Sequence, residues 1–250
     1  MTEVNPFPNR PLVIGHRGAA GEAPENTLAS FGLAVKQGAD AVELDVHLSA
    51  DGELIVCHDA TVNRTTDGAG VIAEMTTDQL RRLDAGRWYD ETYAGEGLPT
   101  LEEVFVQVPA WVMINVEIKC PYSPRLQQRL LELLKQYGRL DSTVVSSFNH
   151  KILRLLQEAE PALKIGLLYD ANLVHHRGLA EGSGMKVYSL HPHHLLIDPE
   201  DVADAAAHGL KVYPFTVNDE VQMHRAIRAG MSGIITDYPA RLRLLLERLS

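Results

Sequence analysis

The sequence has few cysteines, few aromatic residues and no excess of positive charge. Only Cys57 and Cys120 are cysteines among 250 residues, and 6% of the residues are aromatic. Two distant cysteines predict reduced thiols rather than a disulfide framework. The formal net charge of -10 at pH 7 argues against a nucleic-acid binder or a protein held on anionic membranes, since both need a basic surface. An anionic substrate would require a local cluster of cations or a metal.

The chain also lacks long apolar runs. No stretch approaches the ~20 consecutive apolar residues that a membrane-spanning helix needs. The opening segment MTEVNPFPNRP lacks the basic and then apolar pattern of a secretory signal. We therefore expect a cytoplasmic protein with no stable membrane association.

What the sequence does contain is a regular alternation of β-rich runs and amphipathic helices. The first run, PLVIGH at 11–16, combines β-branched residues with proline and glycine at its ends, which is typical of a buried strand. A helix follows, for which Asn26 is the expected N-cap and Gly38 the C-terminal glycine. Further strands are expected at 41–48, 111–119, 142–148, 164–169, 186–191, 211–218 and 232–237.

Eight strands that alternate with helices predict a parallel sheet, and eight repeats favour closure into a (β/α)8 TIM barrel. The alternative is an open doubly wound sheet, which typically carries a glycine-rich phosphate loop after its first strand. The segment GHRGAAG does not match that spacing. We therefore predict one α/β barrel domain over residues 1–250, with strand 2 followed by an extension or hairpin partner at 53–59 and by a small insertion at roughly 60–97.

Basic and titratable residues collect where the predicted strands end, which is where barrel enzymes place their active sites. His16 and Arg17 end the first strand, His58 ends the segment after the second, and Lys119 ends the strand at 111–119. A lone histidine at a strand end is more often a capping or solvent-facing residue. Two histidines beside a group of carboxylates, however, can form a general acid–base pair near neutral pH, and an arginine suits a phosphate group.

Three carboxylates are expected at the same edge of the sheet. Glu43 and Asp45 lie two positions apart on one strand, so their side chains share a face about 6–7 Å apart, and Glu117 nears the end of the next barrel strand. A carboxylate facing the interior is costly unless a cation or a donor satisfies it. The three would form a cage for one hard divalent cation, Mg²⁺ or Ca²⁺, because zinc sites draw more on histidine and cysteine. Together, these features predict cleavage of a phosphate ester.

Several short motifs follow one another in order along the chain. They are GHRG, PENT, ELD (Glu43, Asp45), HD (His58, Asp59), EIK (Glu117, Lys119), FTVN and IITDYP. This series resembles that of the glycerophosphodiester phosphodiesterases, most of all their cytosolic bacterial branch, and it covers about residues 12 to 240. The resemblance implies a (β/α)8 barrel with an insertion after strand 2. It also implies hydrolysis of a glycerophosphodiester to sn-glycerol 3-phosphate and an alcohol.

The resemblance further implies roles for the titratable residues. By position, His16 and His58 would be the acid–base pair. One of them would deprotonate the nucleophile, which is water or the glycerol 2-hydroxyl, and the other would protonate the departing alcohol. The implied metal ligands are Glu43, Asp45 and Glu117.

The substrate would be held by four other residues. The resemblance implies that Arg17 and Lys119 bind the phosphate and that His191 and Phe215 lie near the substrate. Many members of the family have tryptophan where Phe215 stands in FTVN, so the aromatic wall is kept while the packing of the glycerol differs. Glu25, within PENT, is a candidate partner of the site rather than a part of the helix cap.

Two other functions stay open on sequence grounds. One is a lipid-directed phosphodiesterase of the same barrel type, acting on a lysophospholipid or a phosphoinositide; the sequence shows no exposed apolar or basic stretch for a membrane. The other is a non-catalytic module that binds glycerophosphodiesters, against which the two histidines argue, because binding alone needs no pair of titratable groups. We expect a small-molecule substrate and no nucleic acid, while the alcohol and the oligomeric state stay open.

Overall fold

The computed structural model describes residues 10–249. Residues 1–9 lie outside this range, and they form most of the opening segment in which we expect no secretory signal. The strands in the described part are β1 (Leu12–Gly15), β2 (Ala41–Leu48), β3 (Leu54–Val56), β4 (Met113–Ile118), β5 (Thr143–Ser147), β6 (Lys164–Tyr169), β7 (Val187–Pro192), β8 (Lys211–Val212) and β9 (Gly233–Thr236).

Eight of these strands form a parallel sheet in the order β8-β7-β6-β5-β4-β2-β1-β9. Backbone hydrogen bonds join its two ends: Ser232 N–H donates to the Val212 carbonyl at 3.0 Å, and Ile235 N–H donates to the Pro214 carbonyl at 3.1 Å. The sheet is thus a nearly closed barrel, and the predicted fold is confirmed. Strand β3 is a hairpin partner, because it pairs antiparallel with the end of β2.

Strand β8 is much shorter than the predicted strand at 211–218. Only its first two residues pair regularly, since Pro214 has no N–H group with which to continue the ladder. Beyond the proline the chain keeps to the barrel rim through single contacts, such as the hydrogen bond from Phe215 N–H to the Pro192 carbonyl at 3.1 Å. The aromatic residue predicted near the substrate therefore lies on an irregular segment.

The helices of the described part are α1 (Leu28–Lys36), α2 (Thr77–Leu80), α3 (Leu101–Gln107), α4 (Pro124–Gln136), α5 (His150–Ala159), α6 (His176–Gly182), α7 (Pro199–Ala207), α8 (Glu220–Arg228) and α9 (Pro239–Leu249). Apart from α2, they pack on the outside of the barrel. Outward-facing strand residues such as Leu44 and Val116 share one large core with helix residues such as Leu130 and Leu156. Full burial of one such side chain contributes about 1.5–3 kcal/mol. Within residues 10–249, no helix has the length and apolarity needed to cross a membrane.

A smaller core fills the barrel interior. Ile14, Ala41, Tyr213 and Ile235 form it. Three of them, Ile14, Ala41 and Ile235, are each followed two positions later by a polar residue near the end of the strand. Side chains two positions apart on a strand share a face. The interior core is therefore the floor beneath the polar strand ends.

The predicted insertion at 60–97 is a folded unit rather than an open loop. It contains α2 and two short 3₁₀ turns, Ile72–Glu74 and Glu91–Tyr93. Its apolar side chains make a separate buried cluster with residues of β3 and its flanks: Ile55, Cys57, Val62, Ile72, Leu80, Ala85 and Leu98. Both cysteines are free, as predicted.

Helix α1 has Thr27 as its N-cap, so the expectation of Asn26 was wrong. The Thr27 hydroxyl accepts a hydrogen bond from Ser30 N–H at 3.2 Å. Asn26 instead has a left-handed backbone with φ of 58°, which asparagine tolerates better than most residues, and its side chain bonds Asp45. Both residue types are good N-caps, and nothing in the local pattern indicates that a strand residue takes the asparagine.

Replacing Thr27 by alanine should lower the free energy of unfolding by about 1–2 kcal/mol, because the cap is lost together with the buried bond from its hydroxyl to the Pro24 carbonyl. For a chain of this size the midpoint of thermal unfolding should fall by roughly 2–4 °C per kcal/mol. Circular dichroism during heating measures it. Thr76→Ala, at the exposed N-cap of α2, is the matched control and should lose less. An unchanged midpoint for Thr27→Ala would contradict the assignment.

Candidate active site

The barrel brings the three predicted carboxylates together at the carboxyl ends of β2 and β4. Glu43 and Asp45 face the interior from β2, and the strand register places Glu117 of β4 directly opposite Asp45. Each residue offers an oxygen within 4.8 Å of the others. The three are 3%, 1% and 9% exposed, respectively. We call these three residues the carboxylate cage.

The carboxylate cage holds more negative charge than its surroundings readily support. Burial, reinforced by the charges of Asp45 and Glu117, raises the pKa of Glu43 well above its usual range. Burial and Asp45 likewise raise the pKa of Glu117 to about 7. Clustered, buried, oxygen-only ligands with this surplus of charge fit a hard divalent cation such as Mg²⁺ or Ca²⁺.

The turn that follows β1 places hydrogen-bond donors beside the carboxylate cage. Arg17 has a left-handed conformation with φ of 50°, and its N–H donates to Glu43 Oε2 at 2.9 Å. Such strain at a non-glycine residue persists only where neighbouring contacts hold it. At Gly18, where φ is 88°, a Cβ would lie 2.3 Å from Ser30 Oγ. Asn26 completes the turn by donating to Asp45 Oδ2 at 2.9 Å.

His16 lies between an aspartate and the carboxylate cage. Its Nδ1 is 2.6 Å from Oδ1 of Asp237, at the end of β9, and its Nε2 is 4.0 Å from Glu43 Oε2. An ionised carboxylate only accepts hydrogen bonds, so Nδ1 carries a proton and Nε2 is the atom turned toward the cage. Asn218 steadies the aspartate by donating to its Oδ2 at 2.5 Å.

His58 makes a similar contact with an aspartate. Its Nδ1 is 2.7 Å from Asp59 Oδ1, and its Nε2 is 3.1 Å from Lys119 Nζ. Because an ammonium group can only donate, Nε2 accepts and the ring is neutral. Burial lowers the pKa of His58, although Asp45 and Asp59 act in the opposite direction. Nε2 of His58 is thus linked to the carboxylate cage through Lys119, which also bonds Glu117.

Two cations flank the carboxylate cage. Lys119 Nζ donates to Glu117 Oε1 at 2.9 Å, and Arg17 Nε is 3.3 Å from Asp45 Oδ2. Arg17 Nη1 also donates to Glu25 Oε1 at 2.8 Å, so the predicted contact of Glu25 with the site is confirmed. Burial disfavours the charge of both side chains, but neighbouring carboxylates outweigh it and raise the pKa of each: Asp45, Glu25 and Glu43 act on Arg17, and Glu117, Asp45 and Glu43 act on Lys119. Both cations are therefore charged beside the cage.

Comparison with known proteins agrees with this arrangement. The sequence model of the glycerophosphoryl diester phosphodiesterase family matches residues 16–241. The chain belongs to this family. The match begins at His16 and spans every residue of the carboxylate cage and of the two histidine–aspartate pairs, so the resemblance inferred from the motifs is confirmed.

Individual relatives of the family match nearly the whole chain. A glycerophosphodiester phosphodiesterase of Caldanaerobacter subterraneus subsp. tengcongensis is 43% identical over 242 residues, which cover 95% of this chain and 98% of the relative. A phosphodiesterase of Oleispira antarctica, solved in complex with the product sn-glycerol-3-phosphate, has a TM-score of 0.88 at 35% identity and covers 95% of this chain and 97% of its own. A lysophospholipase D of Homo sapiens is 30% identical over 95% of this chain and 86% of its own. The chain is thus an enzyme of the phosphodiesterase class.

In this member of the family, His191 is buried rather than exposed on the wall of the active-site cleft. It is completely buried, its Nε2 is 2.8 Å from Ser189 Oγ, and its ring packs edge-on against Tyr213 with centroids 5.4 Å apart. Burial lowers the pKa of His191 to about 3, so the ring is neutral. Gly166 leaves the space for it, because a Cβ there would lie 2.5 Å from the Nε2. A contact between His191 and substrate stays a prediction.

Phe215 belongs to an aromatic group at the barrel mouth. Its ring meets Phe148 edge-on at 5.9 Å and His193 edge-on at 6.0 Å. Phe148 in turn lines a cavity of about 300 Å³ that opens beside Glu117 and Lys119. The predicted aromatic wall therefore lies next to the carboxylate cage, while its contact with substrate stays a prediction.

Five residues of the site were not assigned a role in it from the sequence. Asp237 follows the last strand, so position alone could have identified it as a partner of His16. Asp59 directly follows His58, and this adjacency likewise hinted at the second pair. Asn218 ends the predicted strand at 211–218, so its position at a strand end was also a signal. The sequence gave no signal for the contacts of Asn26 or for those of Arg64, which donates to Asp59 and Glu25.

Proposed function

We propose that the chain hydrolyses glycerophosphodiesters to sn-glycerol 3-phosphate and an alcohol, with one divalent cation, Mg²⁺ or Ca²⁺, held by Glu43, Asp45 and Glu117. The observation that carries the proposal is the pair of histidines, each with Nδ1 on an aspartate. Nε2 of His16 lies 4.0 Å from Glu43 of the carboxylate cage, and Nε2 of His58 accepts from Lys119, which also bonds Glu117 of the cage. Binding alone requires no such pair. A cation bound there would withdraw charge from the non-bridging oxygens of the phosphate.

Phosphate binding falls to the two basic side chains. Arg17 and Lys119 lie beside the carboxylate cage, and a guanidinium can meet two phosphate oxygens with parallel hydrogen bonds. Their positive charge opposes the negative charge that builds on the phosphate oxygens as the new bond forms. Because neighbouring carboxylates already hold both side chains, little ordering is left to complete on binding.

Proton transfer falls to His16 and His58. One ring accepts the proton of the nucleophile at Nε2, and the other gives a proton from Nε2 to the departing alcohol oxygen. Asp237 and Asp59 keep the proton on each Nδ1 and hold the ring plane, so Nε2 is the exchanging atom. The nucleophile is water or the glycerol 2-hydroxyl; the second route passes through a cyclic phosphodiester, which ³¹P NMR during turnover distinguishes.

A lysophospholipid is the second candidate substrate. The observation in its favour is the 30% identical human relative named as a lysophospholipase D, together with Phe148, which is 50% exposed at the mouth of the cavity. An acyl chain would extend along that side of the site. Faster hydrolysis of a lysophosphatidylcholine than of glycerophosphocholine would favour this candidate.

The proposed cellular setting is the cytoplasm, where the free thiols Cys57 and Cys120 stay reduced. We further propose that the whole chain, residues 1–250, acts as a single barrel domain on a small molecule, without a nucleic-acid partner. The net charge of -10 supports that choice of partner.

Incubation of the purified protein with glycerophosphocholine, followed by an enzymatic readout of sn-glycerol 3-phosphate, tests the proposed function. We expect product in the presence of Mg²⁺ or Ca²⁺, loss of activity with a chelator, and recovery when one of the ions is returned. The ion that restores more activity identifies the preferred metal. Tight binding of glycerophosphocholine with no product under any of these conditions would indicate a non-catalytic module instead.

A further inference from the structure

The guanidinium of Arg64 joins two carboxylates that come from distant parts of the chain. Its Nε and Nη2 donate to Asp59 at 2.8 and 3.2 Å. Its Nη1 and Nη2 donate to Glu25 at 2.8 Å each. Two bidentate contacts on one planar group are geometrically demanding, and only arginine offers a suitable fork of donors.

Each of the two carboxylates also holds a residue of the proposed machinery. Asp59 accepts from Nδ1 of His58 at 2.7 Å, and Glu25 accepts from Nη1 of Arg17 at 2.8 Å. Arg64 is therefore one residue removed from a proton-transfer group and from a phosphate-binding group. Hydrogen bonds from Arg64 are the largest of the causes that keep the pKa of Asp59 well below its usual range. Asp59 is therefore a charged carboxylate where it bonds His58.

The folded insertion sets the position of Arg64. Val62 N–H donates to the Gly70 carbonyl at 3.0 Å, and Thr66 Oγ1 donates to the Val62 carbonyl at 2.7 Å. Val62 itself is buried in the apolar cluster of the insertion. These contacts pin the backbone on both sides of Arg64, so the guanidinium is presented by a packed unit.

We infer that Arg64 is a positioning residue that locks Asp59 and Glu25 together and thereby orients His58 and Arg17. This inference rests on the proposed function, because it assigns Arg64 a part in the same reaction. It also explains what the insertion contributes, since the insertion delivers one arginine to the rim of the site.

Arg64 is not placed to bind substrate itself. All three of its guanidinium nitrogens already donate to Asp59 or Glu25, and those two carboxylates offset its charge. Loss of Arg64 should consequently act on turnover more than on substrate binding, since Arg17 keeps both Glu25 and Asp45 as partners, whereas Asp59 loses its anchor.

Steady-state kinetics of Arg64→Gln with glycerophosphocholine test the inference. We expect kcat to fall about 10- to 100-fold, by analogy with the loss of outer partners that orient metal ligands, with a much smaller change in KM. Arg64→Lys should not rescue kcat, because one ammonium group cannot bridge two carboxylates bidentately. Arg87→Gln is the matched control: it lies on the same insertion, pairs with Glu91 at 3.3 Å and should behave as wild type.

A double-mutant cycle then asks whether Arg64 acts through Asp59. In an Asp59→Asn background, Arg64→Gln should lower kcat much less than it does in the wild type, because the connection from Arg64 through Asp59 to His58 is already lost. Losses that multiply within roughly twofold, full rescue by lysine, or wild-type kcat in Arg64→Gln would each overturn the inference. Failure of the proposed function is a separate result, since the unmodified enzyme would then form no product.

Discussion

Replacing His16 by alanine is expected to leave the fold intact and to lower the rate of hydrolysis about 100- to 10,000-fold, the usual worth of a general acid or base. The side chain is partly exposed, and its polar neighbours are Asp237 and Glu43. Asp237 keeps its hydrogen bond from Asn218 in the variant, so no buried donor is stranded. Residual activity should come from the proposed phosphate contacts of Arg17 and Lys119 and from the cation proposed at the carboxylate cage.

The matched control for this variant is another histidine with an aspartate neighbour. His208 Nδ1 is 3.4 Å from Asp204 Oδ1 on α7, at an exposed position outside the site. His208→Ala should therefore hydrolyse glycerophosphocholine as the wild type does. Circular dichroism and thermal unfolding of both variants verify that they fold. A folded His16→Ala variant with wild-type kcat would remove His16 from the mechanism.

Replacing Glu117 by glutamine is expected to abolish most activity while making the metal-free protein more stable at pH 8. The loss of activity should exceed the ~10- to 100-fold typical of changes beyond the direct ligands of a metal, because Glu117 is proposed as a ligand itself. The gain in stability arises because the wild-type protein buries a carboxylate that its neighbours disfavour in the charged form.

The direction of the pH dependence follows from the raised pKa. In the metal-free fold the pKa of Glu117 is about 7, against about 4.3 in an unfolded chain. The folded state therefore binds this proton more tightly, so the contribution of Glu117 to stability is fully present below about pH 4.3 and is lost as pH rises through about 7. At pH 8 the glutamine variant avoids a cost on the order of 3–4 kcal/mol.

Thermal unfolding of the metal-free wild type and of Glu117→Gln between pH 5 and pH 8 measures this effect. The difference between the two midpoints should widen toward pH 8, in favour of the variant. Adding Mg²⁺ or Ca²⁺ should raise the midpoint of the wild type most at pH 8, where cation and proton no longer compete. A variant less stable than the metal-free wild type at pH 8 would contradict the account of the cage.

Residues on regular strands were predictable because strand geometry carries them. Glu43 and Asp45 share a face of β2 by simple alternation, and parallel pairing then sets Glu117 opposite Asp45. The position of the site at the carboxyl ends of the strands follows from the same geometry. In contrast, the strand predicted at 211–218 was too long, because Pro214 interrupts the hydrogen-bond ladder within a run of β-type residues.

The contacts between loops could not be predicted from the sequence. Arg64 and Glu25 are 39 positions apart, and neither lies on a strand that would fix their relation. Asn26 lay within a helix-start pattern, and only the folded chain shows that Asp45 draws it away from the cap. Such contacts depend on how two loops fold over one rim, which no local periodicity encodes.

The pH dependence of kcat/KM for the wild type, His16→Ala and His58→Ala shows whether the two histidines carry out opposite proton transfers. The wild type should give a bell-shaped profile at saturating cation. One variant should lose the acidic limb and the other the basic limb, and this result also assigns the base and the acid. A bell-shaped profile that persists in either variant, or the loss of the same limb in both, would contradict the account.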